Sequence, residues 1–355
     1  MKKLFLSLSA LACLAYFSAC STDVDLYADY KDIPVIYGLV DASQDTNFIR
    51  INRAFSGSND NPINANEVAL IADSCNYPGK LNAYIEEYMT VYGNNYEPTG
   101  SVFALDTMTI HDKVEGVFYA PDQKVYWTDA EFKTNSNGKK YKYKLFVEKG
   151  DEVVSAETGV VGGEGFKVVS SGLSFAAEES DKANKIKFTA ADNAVFYDMK
   201  MVFYYRESLN GGPFVDKEVS YSFGSKNIDE LETEDASYYY SYSENLLFRL
   251  LKTAIGADTV VDPNHPNVVR YFNYVEVTGN YKKPMRIFLS AGGDELYTYI
   301  QVNSQTGFSQ TIPDYTNVAG GRGVFSSRIN ISKAVTLSSR AITDIYAQPW
   351  GFIEQ

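Results

Sequence analysis

Short runs of apolar and aromatic residues, separated by turn-forming residues, cover most of the chain after residue 32. In the run Phe48–Arg53, Ile49 and Ile51 fall on one face of an extended chain, and the polar residues between them fall on the other. The odd positions of 141–147 are likewise all apolar or aromatic. Such runs recur roughly every 10–15 residues without a helical period between them, and this pattern is typical of antiparallel β-sandwiches.

Two breaks in the strand pattern predict the domain organisation. The glycine-rich segment Gly159–Gly165 predicts a boundary between an N-terminal β-sandwich domain, 33–161, and a β-rich C-terminal domain, 166–355. The one predicted helix lies near 243–255, where Leu247, Leu250 and Leu251 form a stripe at helical spacing. The segments 67–73, 296–303 and 334–340 are predicted as strands, since each is rich in apolar residues without a clear helical stripe.

The first nineteen residues are predicted to be a lipoprotein signal peptide. Lys2 and Lys3 precede an apolar run that is too short to span a bilayer, and small residues precede Cys20. Cys20 is therefore the predicted lipid attachment site, carrying acyl chains such as palmitate. Residues 20–32 form an acidic tether. Ordinary secretion with a coincidental cysteine is the alternative interpretation.

The net charge bears on the partners that the protein can bind, and the cysteine count shows whether disulfides can stabilise it. The formal net charge is −13, and loss of Lys2 and Lys3 makes the mature chain still more acidic, which argues against nucleic acid as a partner. If Cys20 is acylated, Cys75 is the one free thiol of the mature chain, so no internal disulfide can form. We expect Cys75 to be a small core residue.

The sequence contains no motif that indicates an enzyme, a metal site or a cofactor. The two histidines, His111 and His265, lie far apart in the chain and lack nearby carboxylates at ligand spacing. Nucleophile, zinc-protease, dinucleotide and calcium-loop motifs do not occur. A pair of carboxylates that hydrolyses a glycan stays open as an alternative, because its separation depends on the fold. The expectation is a protein without catalytic residues, metal or cofactor.

Aromatic residues are the remaining candidates for ligand contacts. The chain has 28 Tyr, 21 Phe and 2 Trp. Most tyrosines are expected in strands, but exposed aromatic faces also stack on sugars and bind proteins. The candidates for contact with a glycan or peptide are Trp127, Tyr238, Tyr239, Tyr240 and Trp350.

Two stretches resemble a known family. These are Asp32–Val40 followed by Phe48–Asn52, and the segment Tyr315–Ser327, which reads YTNVAGGRGVFSS. Together with the lipoprotein signal, they resemble a family of uncharacterised Bacteroidetes-type outer-membrane lipoproteins. The resemblance implies tandem immunoglobulin-like sandwiches followed by a β-rich region, and genes beside TonB-dependent receptors. It implies no reaction and no catalytic residues.

The glycines of the second stretch predict a local structure. Gly320, Gly321 and Gly323 permit a bulged turn that delivers Phe325 into a core and leaves Arg322 outside. A binding loop is the alternative, although the helix and the Lys-Ser/Thr pair of a phosphate loop are missing.

The functional hypothesis is a lipid-anchored outer-membrane accessory protein that faces the cell exterior. It would bind a ligand as the partner of a TonB-dependent nutrient-uptake receptor. The alternatives are a structural or adhesive surface lipoprotein and, third, a glycan hydrolase.

Overall fold

The computed structural model describes residues 32–54, 65–111, 114, 119–120, 122–178, 182–255, 267–304 and 315–354. The predicted signal peptide, Cys20 and nearly all of the acidic tether lie outside these residues, as does His265. The fold is mainly β, with 55% strand and 14% helix, and it contains several antiparallel sheets as expected. The immunoglobulin-like arrangement stays a prediction.

The largest sheet has ten strands drawn from both ends of the chain. With strands numbered in chain order, they are β1 (Pro34–Asp41), β2 (Asn47–Arg53), β5 (Asp106–Ile110), β6 (Gln123–Thr128), β10 (Gly172–Leu173), β12 (Phe196–Leu209), β13 (Val215–Asn227), β16 (Val268–Phe272), β19 (Met285–Gly292) and β20 (Arg322–Leu337). The main path is β13-β12-β19-β20-β1-β2-β6-β5, with β16 paired to β12 and β10 paired to β20. The pairings β1–β20 and β10–β20 are parallel, and the others in this sheet are antiparallel.

Two four-stranded antiparallel sheets accompany the large one. The first, β4-β3-β7-β8, consists of β3 (Asn82–Tyr92), β4 (Asn95–Ala104), β7 (Tyr141–Lys149) and β8 (Glu152–Gly159). The second, β14-β15-β11-β9, consists of β9 (Lys167–Val168), β11 (Ala183–Thr189), β14 (Glu232–Glu234) and β15 (Ser237–Ser243). A separate hairpin is formed by β17 (Glu276–Thr278) and β18 (Tyr281–Lys283).

Two hydrophobic cores lie between the large sheet and the smaller ones. The N-terminal core joins inward side chains of β1, β2 and β6 to those of β3, β7 and β8. Its β7 members are the odd-numbered residues Tyr141, Tyr143, Leu145 and Val147, so the alternation read from the sequence is confirmed. The C-terminal core joins β12, β19 and the end of β20 to β9, β11, β15 and two helices. Each four-stranded sheet therefore faces one part of the large sheet.

The long strand β20 connects the two cores. Phe325, near its beginning, is fully buried in the N-terminal core, whereas Val335 and Leu337 belong to the C-terminal core. Val318 and Phe325 are C-terminal in sequence but complete the N-terminal core, whereas Val161, the last residue of the predicted N-terminal domain, belongs to the C-terminal core. The largest sheet takes strands from both sides of the boundary predicted near 162–165, and the division into two domains stays a prediction.

The helices correct three sequence predictions. They are α1 (Ala65–Val68), α2 (Ala72–Cys75), α3 (Leu246–Ile255), α4 (Asp294–Ser304) and α5 (Ser339–Tyr346). Helix α3 confirms the predicted helix, with its apolar stripe buried in the C-terminal core. The described C-terminal half nevertheless has three α-helices rather than one. Segment 67–73 is mainly helical instead of a strand, and the predicted strand 296–303 is helix α4.

The residues at the start of a helix explain two segments that are helical where strands are predicted. Helix α4 follows Gly292 and Gly293 and carries Asp294 and Glu295 in its first turn, where carboxylates are favoured by the helix dipole. The strand predicted at 334–340 ends at Leu337, because the Ser338 side chain caps α5 by accepting a hydrogen bond from the backbone of Ala341. In the described ranges no helix is long and apolar enough to cross a bilayer.

Candidate functional site

The outer face of the large sheet, opposite the cores, carries the candidate site. Along β1, Ile36, Gly38 and Val40 are buried toward the N-terminal core. Successive side chains of a strand point to opposite faces. Tyr37, and after it Leu39 and Asp41, therefore lie on the outer face.

The parallel pairing of β1 and β20 places Asp41 beside Arg328 on this face. Arg328 Nε donates to Asp41 Oδ2 at 3.1 Å, and Asn330 Nδ2 donates to the same oxygen at 2.7 Å. Asp41 Oδ1 accepts from the backbone N–H of Ser43 at 3.0 Å and from its hydroxyl at 2.5 Å. Asp41 is only 2% exposed, so its buried negative charge is stabilised by four donors.

Arg328 differs from Asp41 in being open to solvent. Its side chain is 46% exposed, while that of Asp41 is 3% exposed. Among the described residues, Arg328 hydrogen-bonds through Nε, and its two terminal amino groups make no hydrogen bond. Asp41 therefore holds the guanidinium in place while leaving its outer edge accessible.

Helix α4 covers part of the outer face and forms the second wall of the site. The backbone N–H of Leu296 donates to Ser326 Oγ at 3.2 Å, and Ser326 Oγ donates to Glu295 Oε2 at 2.9 Å. The rings of Tyr37 and Tyr299 meet edge to face with their centroids 5.8 Å apart. These contacts fasten the helix across β20 and β1, although none of its side chains is fully buried.

The space between α4 and the first hairpin is a cleft of about 460 Å³, which we call the outer-face cleft. Its wall is mainly apolar and aromatic, with polar groups toward the end of β1. It is lined by Tyr37, Gly38, Leu39, Asp41, Gln44, Thr46, Asn47, Phe48, Leu296, Tyr299, Ile300, Val324 and Arg328. A mainly apolar cavity with a few fixed polar groups is the usual form of a small-molecule site.

Of the aromatic residues proposed from the sequence, Trp127 lies nearest to this cleft. It pairs with Phe48 across β2 and β6, on the outer face of the sheet. Phe48 lines the cleft and is 47% exposed, whereas Trp127 is half-buried. Trp127 thus extends the apolar surface beside the cleft without lining it.

The three consecutive tyrosines lie elsewhere, on β15, and one of them must be corrected. Tyr240 is 1% exposed in the C-terminal core, and its hydroxyl donates to the backbone oxygen of Tyr197 at 2.6 Å. It cannot contact a ligand in this fold. Tyr239 is 7% exposed and lies under the ammonium of Lys185, and Tyr238 packs against the C-terminal core.

Trp350 is also a packing residue. It is half-buried against the C-terminal core, where its ring lies 6.0 Å from that of Phe248. The structure therefore does not bring the five sequence candidates together in one site. The residues that do converge are Tyr37, Asp41, Tyr299 and Arg328, and the sequence analysis missed them because β1 and α4 are far apart in the chain.

The glycine-rich segment behaves as the predicted structural turn. Gly320 and Gly323 have φ values of 80° and 105°, Arg322 is exposed, and Phe325 is fully buried. A Cβ at Gly323 would lie 1.9 Å from the backbone oxygen of Ile36. Glycine at this position therefore allows the parallel approach of β20 to β1 on which the cleft depends.

A second groove, also about 460 Å³, contains several carboxylates. Glu157, Asp294 and Glu295 line it together with Lys142. Lys142 Nζ lies 3.6 Å from Glu157 Oε1, and Thr158 Oγ1 donates to Glu295 Oε2 at 3.2 Å. Glu295 also accepts from Ser326, so its carboxylate joins β8, β20 and α4 and has a structural role.

The remaining polar candidates have simple surroundings. His111 Nδ1 lies 2.8 Å from Asp122 Oδ1 on the surface. Cys75 is a buried core residue, and its thiol donates to the backbone oxygen of Ala69 at 3.4 Å. No group of three or more metal-ligating side chains is found within the described part of the chain.

No protein-family model matches the chain, and no curated protein matches its sequence. The function must therefore be argued from the cleft and from the sequence features.

Proposed function

We propose that this protein is a lipid-anchored outer-membrane binding protein, not an enzyme, which holds a small ligand in the outer-face cleft. It would act at the cell exterior as the partner of a TonB-dependent nutrient-uptake receptor. The observation that carries the binding role is the cleft itself, where apolar walls end at an arginine held by a buried carboxylate. The anchor and the receptor rest on the lipoprotein signal and the family resemblance.

The cleft favours a binding role over the two alternatives. Phe48 and Ile300, which are 47% and 44% exposed, lie in a concave wall, and exposed apolar residues in a groove are typical of ligand binding. A glycan hydrolase of the usual kind needs two carboxylates. Asp41 is the one carboxylate in the described lining of the cleft, and both of its oxygens are hydrogen-bonded.

The proposed function is tested by isolating the tagged full-length lipoprotein from its native outer membrane in mild detergent. Mass spectrometry then identifies the proteins that are recovered with it. We expect one TonB-dependent receptor in stoichiometric amount. The Cys20→Ala variant, which lacks the predicted lipid attachment, serves as the control and should be lost from the membrane fraction.

Recovery of the lipoprotein alone would contradict the receptor partnership and favour a structural or adhesive role. Recovery of the Cys20→Ala variant in the membrane fraction at the level of the unaltered protein would contradict the lipid anchor. The two results are separate, so each part of the proposal can fail independently.

A further inference from the structure

We infer that the outer-face cleft binds a small amphipathic carboxylate, with the carboxylate against Arg328 and the apolar body along Tyr37, Phe48 and Tyr299. This inference rests on the proposed binding role of the cleft and specifies the chemistry of its ligand. It is carried by the geometry of the Asp41–Arg328 pair at the end of an apolar wall.

The electrostatics of the lining identify the charged group of the ligand. Asp41 and Arg328 are its two ionisable groups apart from the tyrosines, and Asp41 has its four donors already in place. Its carboxylate has little capacity left for a ligand cation or hydroxyl. The terminal amino groups of Arg328 are the charged donors of the lining, and they make no hydrogen bond to a described residue. A guanidinium edge matches a carboxylate through two parallel hydrogen bonds.

Asp41 makes Arg328 a better anion site even though its carboxylate compensates the charge of the guanidinium. Fixing Nε at 3.1 Å removes much of the side-chain freedom that a ligand would otherwise have to restrict on binding. Asn47, also in the lining, is already used: its Oδ1 accepts from the Asp41 N–H at 2.7 Å and its Nδ2 donates to the Asp41 backbone oxygen at 3.2 Å. Asn47 therefore supports the turn rather than the ligand.

The walls identify the rest of the ligand. Leu39, Leu296, Ile300 and Val324 offer no hydrogen bonds, and burial of their exposed surface favours an apolar partner. A sugar would place hydroxyl groups against these side chains and leave them without partners. An aliphatic or aromatic acid buries its body on this wall and leaves only the carboxylate to be satisfied.

The probe for this inference is 11-(dansylamino)undecanoate, whose fluorescence rises in apolar surroundings. It is titrated into the full mature chain carrying Cys20→Ser, which avoids detergent. The methyl ester of the probe has the same body without the charge. We expect saturable binding of the acid and roughly 10- to 100-fold weaker binding of the ester, the range typical of hydrogen bonds to charged groups.

Two matched pairs of variants locate the site. Arg328→Gln should weaken the binding of the acid by a similar factor. Arg286→Gln, on the outer face of the same sheet, should leave this binding unchanged. Phe48→Ala should weaken the binding of both the acid and the ester. Phe214 is 42% exposed beside the edge strand β13, and Phe214→Ala should weaken the binding of neither. Displacement of the probe by decanoate or by 4-phenylbutyrate shows whether an aliphatic or an aromatic acid fits better.

Equal binding of acid and ester, or unchanged binding by Arg328→Gln, would overturn the inference. Absence of probe binding would overturn it as well. None of these results affects the receptor partnership, which the membrane isolation tests separately, so failure of the ligand class can be distinguished from failure of the proposed function.

Discussion

Arg270 and Glu207 face each other across the antiparallel pair β12–β16, and the arginine side chain is 1% exposed. Arg270 Nε donates to Glu207 Oε2 at 2.8 Å, and Nη1 donates to the backbone oxygen of Trp350 at 2.5 Å. The backbone of Arg270 also bonds to Gly351 and Ile353. This one residue therefore fastens the C-terminal segment to the large sheet while its own charge is compensated.

Substitution Arg270→Met is expected to lower the free energy of unfolding by about 3–5 kcal/mol, because it leaves Glu207 without its buried partner. Denaturant unfolding followed by circular dichroism measures the change. Arg206, next to Glu207 in β12, forms an exposed ion pair with Asp216. Arg206→Met removes this pair and should lower the free energy of unfolding by less than about 1 kcal/mol. Equal losses in the two variants would refute the role of burial.

The double variant Glu207→Leu with Arg270→Met separates charge compensation from packing. Removing both charges avoids the uncompensated carboxylate, so the double variant should be more stable than Arg270→Met alone. A double variant that is less stable than the single one would show that the packing of the Glu207 side chain, and not charge compensation, dominates.

Substitution Gly323→Ala should destabilise the chain by about 3 kcal/mol or more, since it adds backbone strain at φ 105° and a contact with Ile36 in the partner strand. The melting temperature reports the loss. Gly165→Ala is the matched control, because a Cβ there meets no atom within 4 Å. A melting temperature for Gly323→Ala equal to that of the control would contradict the close pairing of β1 and β20.

Substitution Asp41→Asn should reduce the free energy of unfolding by about 1–3 kcal/mol. Both carboxylate oxygens of Asp41 accept hydrogen bonds, and the substitution replaces one of them by an amide nitrogen, which cannot accept. The substitution should also weaken the binding of the dansyl probe, since Arg328 loses the group that positions it. Asp216→Asn, at an exposed pair, is the control for both measurements. A variant with lower stability but unchanged affinity would make Asp41 purely structural.

Alkaline pH should destabilise the fold through its buried tyrosines. Burial raises the pKa of Tyr197, Tyr242 and Tyr346 to about 12, compared with about 10 in an unfolded chain. Folding therefore favours the protonated phenol. The stability from these groups is complete below pH 10 and is lost as the pH rises from about 10 through 12.

Phenolate absorbance checks this prediction. Tyr197, Tyr242 and Tyr346 should ionise only together with unfolding, at a pH well above 10. The chain in guanidinium chloride should titrate in one step near 10. A single step near 10 in the folded protein, with its circular dichroism intact, would show that these phenols are accessible.

The strand pattern was readable from the sequence because each sheet buries one face. The alternation of 141–147 corresponds to buried and half-buried positions of β7, and the stripe of α3 corresponds to its buried side. Segment 296–303 was misread because its aromatic and β-branched residues favour strands, whereas Asp294 and Glu295 after two glycines favour the start of a helix. The carboxylates of the first helical turn decided between two weak preferences.

The site was not readable from the sequence because its parts meet only through tertiary pairing. Arg328 and Asp41 are separated by 287 residues, and the Tyr37–Tyr299 contact depends on how α4 crosses the sheet. Strand register places Trp127 on the outer face of the sheet, and its contact with a ligand stays a prediction. Tyr240 also lies in a strand rich in aromatic residues, but its side chain points into the core.

The position of β20 has a consequence for the order of folding. Strand β1 is synthesised long before its parallel partner, and Ser327 Oγ donates to the Val40 backbone oxygen across 287 residues. Pairing over such separations is slow because the intervening loop must close first. The N-terminal core cannot be completed, and β1 keeps one unpaired edge, until β20 has been synthesised.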